Sequence, residues 1–317
     1  MKFTEGYWEK SERANASHAM QAFIVEEIPN GMQIVAPFHI ITDRSGALDV
    51  GTITIEFTAI RKDVISVRSW HFEGYQRKEP RFELNKDMQD VDVEVTDEKA
   101  IMTAGRMQVC VDRKDFKIEY KADGKVLTTC GFRNIGYMQY DRSNSTKFPE
   151  SNYMYSDYTP YMNTELSLAP GECVYGMGER FTSFVKNGQV VDCWNEDGGT
   201  ASQISYKNIP FYMTNKNYGI LVDHTDNVSF EVASEKVEYV GFSVKGEELR
   251  FDLIYGDTMK DVIRTYTDLT GKPALAPGWS FGLWLTTSFT TNYDEETTST
   301  FINGMEERNL RKVMIGP

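Results

Sequence analysis

Paired cysteines are missing from this chain of 317 residues. Cys110, Cys130, Cys173 and Cys193 stand far apart with no C-x-x-C among them, and the histidines His18, His39, His71 and His224 are equally scattered. Zinc sites and disulfide frameworks draw on closely spaced sets, so these read as free, mostly buried thiols of a cytosolic protein with no metal site. Clusters of positive charge are missing as well. Thirty-four Lys and Arg against 47 Asp and Glu leave a net charge of −13, which argues against nucleic acid or an anionic membrane as a partner. No apolar run approaches the roughly 20 residues that span a bilayer, and Met1–Lys10 has no apolar core of the kind a secretory signal needs. Cytoplasmic localisation is the expectation. Two catalytic signatures are absent too. Gly176-Met-Gly178 begins a G-x-G that completes neither G-x-G-x-x-G nor a Walker loop, and no G-x-S-x-G occurs, so neither a bound phosphate cofactor nor a serine-hydrolase elbow is expected.

What is present is alternation. Ile53, Ile55 and Phe57 alternate with Thr52, Thr54 and Glu56; Val91, Val93 and Val95 alternate with Asp92 and Glu94; Phe116, Ile118 and Tyr120 repeat the pattern. Asn30-Gly31, Asp123-Gly124 and Asn187-Gly188 supply tight hairpin signals between such runs. Many short alternating strands with turns predict an antiparallel sandwich of two stacked sheets over most of the first 250 residues. Residues 137–163 break the rhythm with Tyr137, Tyr140, Tyr153, Tyr155, Tyr158 and Tyr161 among polar neighbours. That stretch reads either as a surface loop touching a sugar or another subunit, or as an irregular connector.

The last 60 residues change character. Met259, Val262, Ile263, Tyr266 and Leu269 fall on one face of a helix over 258–270, with Thr258 or Asp257 to cap it and Gly271 to end it. The linker Pro273-Ala-Leu-Ala-Pro277 follows, placing the domain boundary at 272/273. Trp279–Thr287 is then apolar on both faces, as suits a strand buried in a parallel sheet. Asn292, Asp294, Glu295 and Glu296 start a helix whose apolar side is Phe301, Ile302 and Met305. Together 273–317 read as a linker plus the first strand and helix of a (β/α)8 barrel, a fold that takes about eight such units over roughly 250 residues.

One segment has the composition of a sugar site. Cys193-Trp-Asn-Glu-Asp-Gly-Gly-Thr200 offers an indole to stack on a pyranose, with carboxylates and an amide to bond hydroxyls. On chemistry alone, Asp197-Gly198-Gly199 is more simply a turn. Glu196 and Asp197 are not a glycosidase acid/base pair, because such carboxyls face each other across the scissile bond, about 5–9.5 Å apart. In Tyr175-Gly-Met-Gly-Glu-Arg-Phe181, a tight strand connection with Glu179 paired to Arg180 is the plain reading.

These stretches, with Tyr206-Lys-Asn-Ile-Pro-Phe-Tyr-Met-Thr-Asn215 and Trp279-Ser-Phe-Gly-Leu-Trp-Leu-Thr-Thr-Ser-Phe-Thr-Thr-Asn-Tyr-Asp294, resemble glycoside hydrolase family 31, and within it the bacterial α-xylosidase branch. The resemblance covers essentially the whole chain and is strongest over 173–310. It implies a galactose-mutarotase-like β-supersandwich followed by a (β/α)8 barrel, and retaining hydrolysis of terminal α-linked xylose by two aspartates on later barrel strands. No catalytic residue is therefore carried over to this chain. Asp197 matches an aspartate on an N-domain loop that reaches over the barrel mouth. Phe289 matches an aromatic that crowds the space near C5 of the sugar, and Trp194 either contacts sugar or braces the loop. The resemblance implies no cofactor and favours a homo-oligomer at full length. Arg311-Lys-Val-Met-Ile-Gly-Pro317 departs from the family's continuation and reads as a truncation or frameshift, so the chain alone is expected to be inactive. The rival reading is a non-catalytic carbohydrate-binding or oligomer-assembly module, which would have no use for a strand apolar on both faces.

Overall fold

Alternation along the chain becomes alternation across sheets. In the strand Thr52–Arg61, Ile53, Ile55 and Phe57 are fully buried while Thr52, Thr54 and Glu56 reach the surface, because successive side chains leave a strand on opposite faces. Met107–Asp112 and Lys117–Ala122 repeat the pattern. The computed structural model describes residues 3–5, 9–74, 80–141, 158–197, 202–282, 284–285, 294–310 and 314–315. The chain divides into two compact units, Met1–Gly271 and Lys272–Pro317.

In the first unit, the described residues form antiparallel sheets of eight, six and five strands, with a two-stranded pair near the start of the chain. The eight-stranded sheet runs Val174–Gly176, Phe211–Thr214, Tyr218–Val222, Glu248–Tyr255, Val64–Trp70, Thr52–Arg61, Gly31–Pro37, Ile24–Ile28. The six-stranded sheet runs Gln189–Cys193, Val228–Val232, Tyr239–Lys245, Tyr158–Ser167, Ile135–Asp141, Ala14–His18, and the five-stranded sheet spans Asp92–Cys130. One apolar core joins all three. Phe57 and Phe251 of the eight-stranded sheet both meet Tyr120 of the five-stranded sheet at 6.3 Å between centroids. On the same face, against the six-stranded sheet, Phe251 meets Phe242 edge-on at 5.3 Å and Tyr212 meets Phe230 at 6.2 Å. Edge-to-face packing suits rings whose faces are negative and edges positive, and it makes the large sheet the common wall of a sandwich whose opposite layer is the other two.

Two of the three expected hairpins form. Asp123 (φ 49°) and Gly124 (φ 73°) make the two-residue mirror-image turn between Lys117–Ala122 and Lys125–Cys130, and Asn30 (φ 56°) turns Ile24–Ile28 back onto Gly31–Pro37. The Asn187-Gly188 expectation is corrected. The strands on either side, Val174–Gly176 and Gln189–Cys193, belong to different sheets, so this turn carries the chain from one layer to the other. Asn187 fastens it, its Oδ1 accepting from Val174 N (2.9 Å) and its Nδ2 donating to Glu172 O (3.0 Å). The tyrosine-rich stretch is also corrected in part. Tyr137, Tyr140, Tyr158 and Tyr161 lie on adjacent strands of the six-stranded sheet, and Tyr137 stacks on His71 at 3.9 Å while donating to Glu247 Oε1 at 2.9 Å. Tyr153, Tyr155 and the Asn144 sequon lie outside the described residues.

The helix α1, Met259–Thr270, starts at Thr258, which forms a reciprocal capping box with Asp261, and ends at Gly271 (φ 102°). Val262 and Leu269 are buried against Ile254 and Leu221 on the outer face of the large sheet, and Tyr266 stacks on Phe211 at 4.1 Å. In the second unit, Gly278–Phe281 is a 3₁₀ turn, not the start of the expected strand; of 279–287 the described strand is Trp284–Leu285. The helix α2, Glu295–Glu307, is capped by Asp294, whose carboxylate accepts from Thr297 N at 2.8 Å; Asn292 lies outside the described residues. Met314–Ile315 pairs in parallel with Trp284–Leu285, so α2 connects two parallel strands.

Candidate functional site

The G-x-G at 176–178 is a device for close approach between chain segments. Gly176, Met177 and Gly178 all have positive φ (121°, 68° and 88°), a conformation costly for residues with a Cβ. A Cβ on Gly178 would lie 2.1 Å from the Lys207 carbonyl oxygen, and one on Gly176 2.6 Å from that of Phe211. In the glycines' absence of side chains, Met177 N donates to Phe211 O (2.8 Å) and Glu179 N to Lys207 O (2.9 Å). Segment 176–180 is thereby laid against segment 205–211.

Arg180 then acts as a hub. The expected Glu179–Arg180 pair is corrected: Glu179 pairs with Lys207 (3.1 Å), while the guanidinium of Arg180 spreads over backbone. Its Nε donates to Met177 O (3.1 Å), Nη1 to Gln203 O (3.1 Å), and Nη2 to Asp192 O (2.9 Å) and to Asn208 Oδ1. With its oxygen thus taken, the Asn208 amide turns its Nδ2 to Trp194 O (2.7 Å), Asn195 Oδ1 (2.9 Å) and Ser205 O (2.8 Å). Asn195 and Ser205 form a parallel bridge, and Glu196 N donates to Ser205 O at 3.1 Å. Residues 195–197 and 205–207 therefore run side by side, and the segment bearing Asp197 is anchored rather than a free loop.

The anchored segment presents Trp194 and Asp197 at the surface. Trp194 is 46% exposed. Asp197 accepts a hydrogen bond from the Tyr206 phenol, and this bond to a carboxylate raises the pKa of Tyr206. Behind them Cys193 is buried, and burial outweighs the nearby Arg180 charge to push its thiol up to about 11, so it packs and does not react. Arg180, Phe181, Ser205, Tyr206 and their neighbours line an adjoining depression of about 250 Å³, below the roughly 300–1,000 Å³ of ligand pockets. Glu196 is exposed, and among the described residues lining this depression the carboxylate is that of Glu179, which is engaged by Lys207.

Of the residues singled out from the sequence, Asp197 and Trp194 come together on one anchored segment, and Phe289 lies outside the described residues. Tyr206, Asn208 and Arg180 were not singled out; the signal for them was their place in the co-linear stretches 175–181 and 206–215. Among the described residues, no group of three or more His, Cys, Asp or Glu is arranged to hold a metal, and no helix is long and apolar enough to cross a membrane.

Residues 54–231 match the glycosyl hydrolase 31 N-terminal galactose mutarotase-like domain, and the chain belongs to that family. It is 41% identical to the α-xylosidase XylQ of Lactiplantibacillus pentosus over 98% of this chain and 39% of that protein. It is 40% identical to an α-xylosidase of Emericella nidulans over 98% of this chain and 40% of that one. The chain thus spans about two fifths of the length of these curated relatives. The fold is also that of a Flavobacterium johnsoniae family 31 dextranase solved with glucose (TM-score 0.72, 18% identity, covering 92% of this chain and 33% of that one).

Proposed function

We propose that this chain is the N-terminal part of a retaining α-xylosidase that removes terminal α-linked xylose from xylosides and xylo-oligosaccharides. The observation that carries the reading is its 40–41% identity with two α-xylosidases across 98% of its length. On this reading 273–317 opens a (β/α)8 barrel, supported by the parallel pairing of Trp284–Leu285 with Met314–Ile315 on either side of α2. The catalytic aspartates belong to barrel strands outside these residues. Asp197 contacts the sugar from the sandwich side, Trp194 contacts sugar or braces the segment, and Phe289 fills the space beside C5. The parent enzyme acts without cofactor, as a cytoplasmic homo-oligomer, through a covalent xylosyl–aspartate.

Two measurements test this. The 317-residue chain is expected to leave p-nitrophenyl α-xyloside unhydrolysed, whereas joining it to a complete family 31 barrel restores turnover with α-xylose as the first product by NMR. Turnover by the purified chain alone, or β-xylose from the joined enzyme, would overturn the assignment. Selectivity tests Phe289. Xylose differs from glucose by lacking the C5 hydroxymethyl, and a filled pocket rejects the larger ring by clash. In the barrel-complete enzyme, Phe289→Ala is expected to raise the α-glucoside/α-xyloside ratio of kcat/KM by roughly 10- to 100-fold, the range one small group in a pocket commands. Equal falls for both substrates would make Phe289 a packing residue only.

A further inference from the structure

We propose that Tyr206 is the positioning residue for Asp197, holding one carboxylate oxygen so that the other is presented to a single sugar hydroxyl. The inference rests on Asp197 being the sugar contact of the proposed function and adds the residue that orients it. A carboxylate at the end of an exposed segment otherwise turns freely about its two side-chain torsions and offers either oxygen. Here the phenol donates to Oδ1, which leaves Oδ2 to accept from a ligand. The bond is held in place from both ends. Asn208 fastens Trp194 O and Asn195 Oδ1 on the Asp197 side and Ser205 O on the Tyr206 side, while Glu196 N and the Asn195–Ser205 bridge join the two runs between those points. Arg180 in turn fixes Asn208.

The pair is exposed, Tyr206 being 66% accessible. Water replaces such a bond at little loss to the fold, so this hydroxyl is poorly suited to a purely stabilising role. Orientation, by contrast, is lost with it, because catalysis and selective binding depend on sub-ångström placement of the contacting group.

The test has two parts. In the chain itself, with ¹³Cζ-labelled tyrosine, Asp197→Asn is expected to bring the Tyr206 phenol titration down toward an ordinary tyrosine; no change would show that the two do not pair. In the barrel-complete enzyme, Tyr206→Phe is expected to lower kcat/KM for p-nitrophenyl α-xyloside roughly 10-fold in the wild-type background and less than about twofold in an Asp197→Asn background, with Tm unchanged. Equal losses in both backgrounds, or no loss in a wild-type background where Asp197→Asn is severely impaired, would overturn the positioning role. If instead Asp197→Asn alone leaves kcat/KM intact while the phenol titration shifts, the pairing stands but Asp197 is not the sugar contact, and the positioning role falls with it.

Discussion

Asp252→Asn is expected to stabilise the protein most above neutral pH, with an advantage that shrinks steadily as pH falls toward 4. Asp252 sits in the strand Glu248–Tyr255 opposite Ser66, on the outer face of the large sheet that it shares with Ile254, and is 0% exposed. The segment 80–91 crosses this face and is tied down through Asn85 N to Leu269 O and Asp87 N to Ile60 O, each at 2.8 Å. Burial is the largest influence on the Asp252 carboxyl; Ser66, Arg250 and Lys86 oppose it, Asp223 adds like charge, and the carboxyl is pushed up to about 7. Neither of its oxygens has a hydrogen bond of good geometry, so Ser66 offsets the burial only weakly.

The sign follows from where the proton is held. With a folded pKa near 7 and an ordinary value of 3.8 unfolded, the native state binds the proton more tightly between those limits. Stability is full below about pH 4 and is lost as pH rises through 7, by about 4 kcal/mol in total for a shift of roughly three units. Asparagine keeps the shape without the charge. Denaturant midpoints at pH 5 and pH 8.5 should show the variant gaining about 2–3 kcal/mol on the wild type between the two. A wild-type-to-variant gap that stays constant across that range would mean Asp252 does not carry the titration.

How far such features could be read beforehand depends on whether they are local. Period-2 runs such as Thr52–Arg61 declare their buried face because a strand's geometry is set residue by residue, and the capping box of α1 is four residues long. Asn187-Gly188 misled because a turn signal states that the chain bends, not which strands then pair; that is settled by the layer each strand joins. Glu179 and Arg180 misled similarly. Neighbours along a chain are natural partners on paper, but the left-handed run Gly176–Gly178 sets the two side chains on partners about thirty residues away at most, Lys207 and Asn208. Asp197 and Trp194 were legible through resemblance, whereas the anchor holding them was not, since it is built from backbone carbonyls that no residue type announces.

Arg180→Ala is expected to lower global stability by about 3 kcal/mol and to release the Asp197 segment. The guanidinium is half-buried and donates to Met177 O, Gln203 O, Asp192 O and Asn208 Oδ1, four acceptors on four separate segments. Bonds from a charged donor contribute roughly 1.5–3 kcal/mol each when nothing replaces them. Water reaching the exposed side will recover a good part, which brings the sum to about 3 kcal/mol. Lysine should not rescue it. An ammonium is a single point with three donors and no planar fork, and it cannot reach carbonyls fanned around a guanidinium, so Arg180→Lys should lose most of what alanine loses. The local effect is separable from the global one. Once Asn208 loses the donor that fixes its amide, the ties of that amide to Trp194 O, Asn195 Oδ1 and Ser205 O weaken together, leaving the 195–197 run on the Glu196 N–Ser205 O, Asn208 N–Asn195 Oδ1 and Tyr206–Asp197 bonds, and hydrogen exchange at Glu196 N should accelerate well beyond that of the core strand Glu248–Tyr255. Arg180→Lys with wild-type stability, or Glu196 exchange unchanged in Arg180→Ala, would show that the glycine-enforced approach at Lys207 and Phe211 anchors the site without the guanidinium.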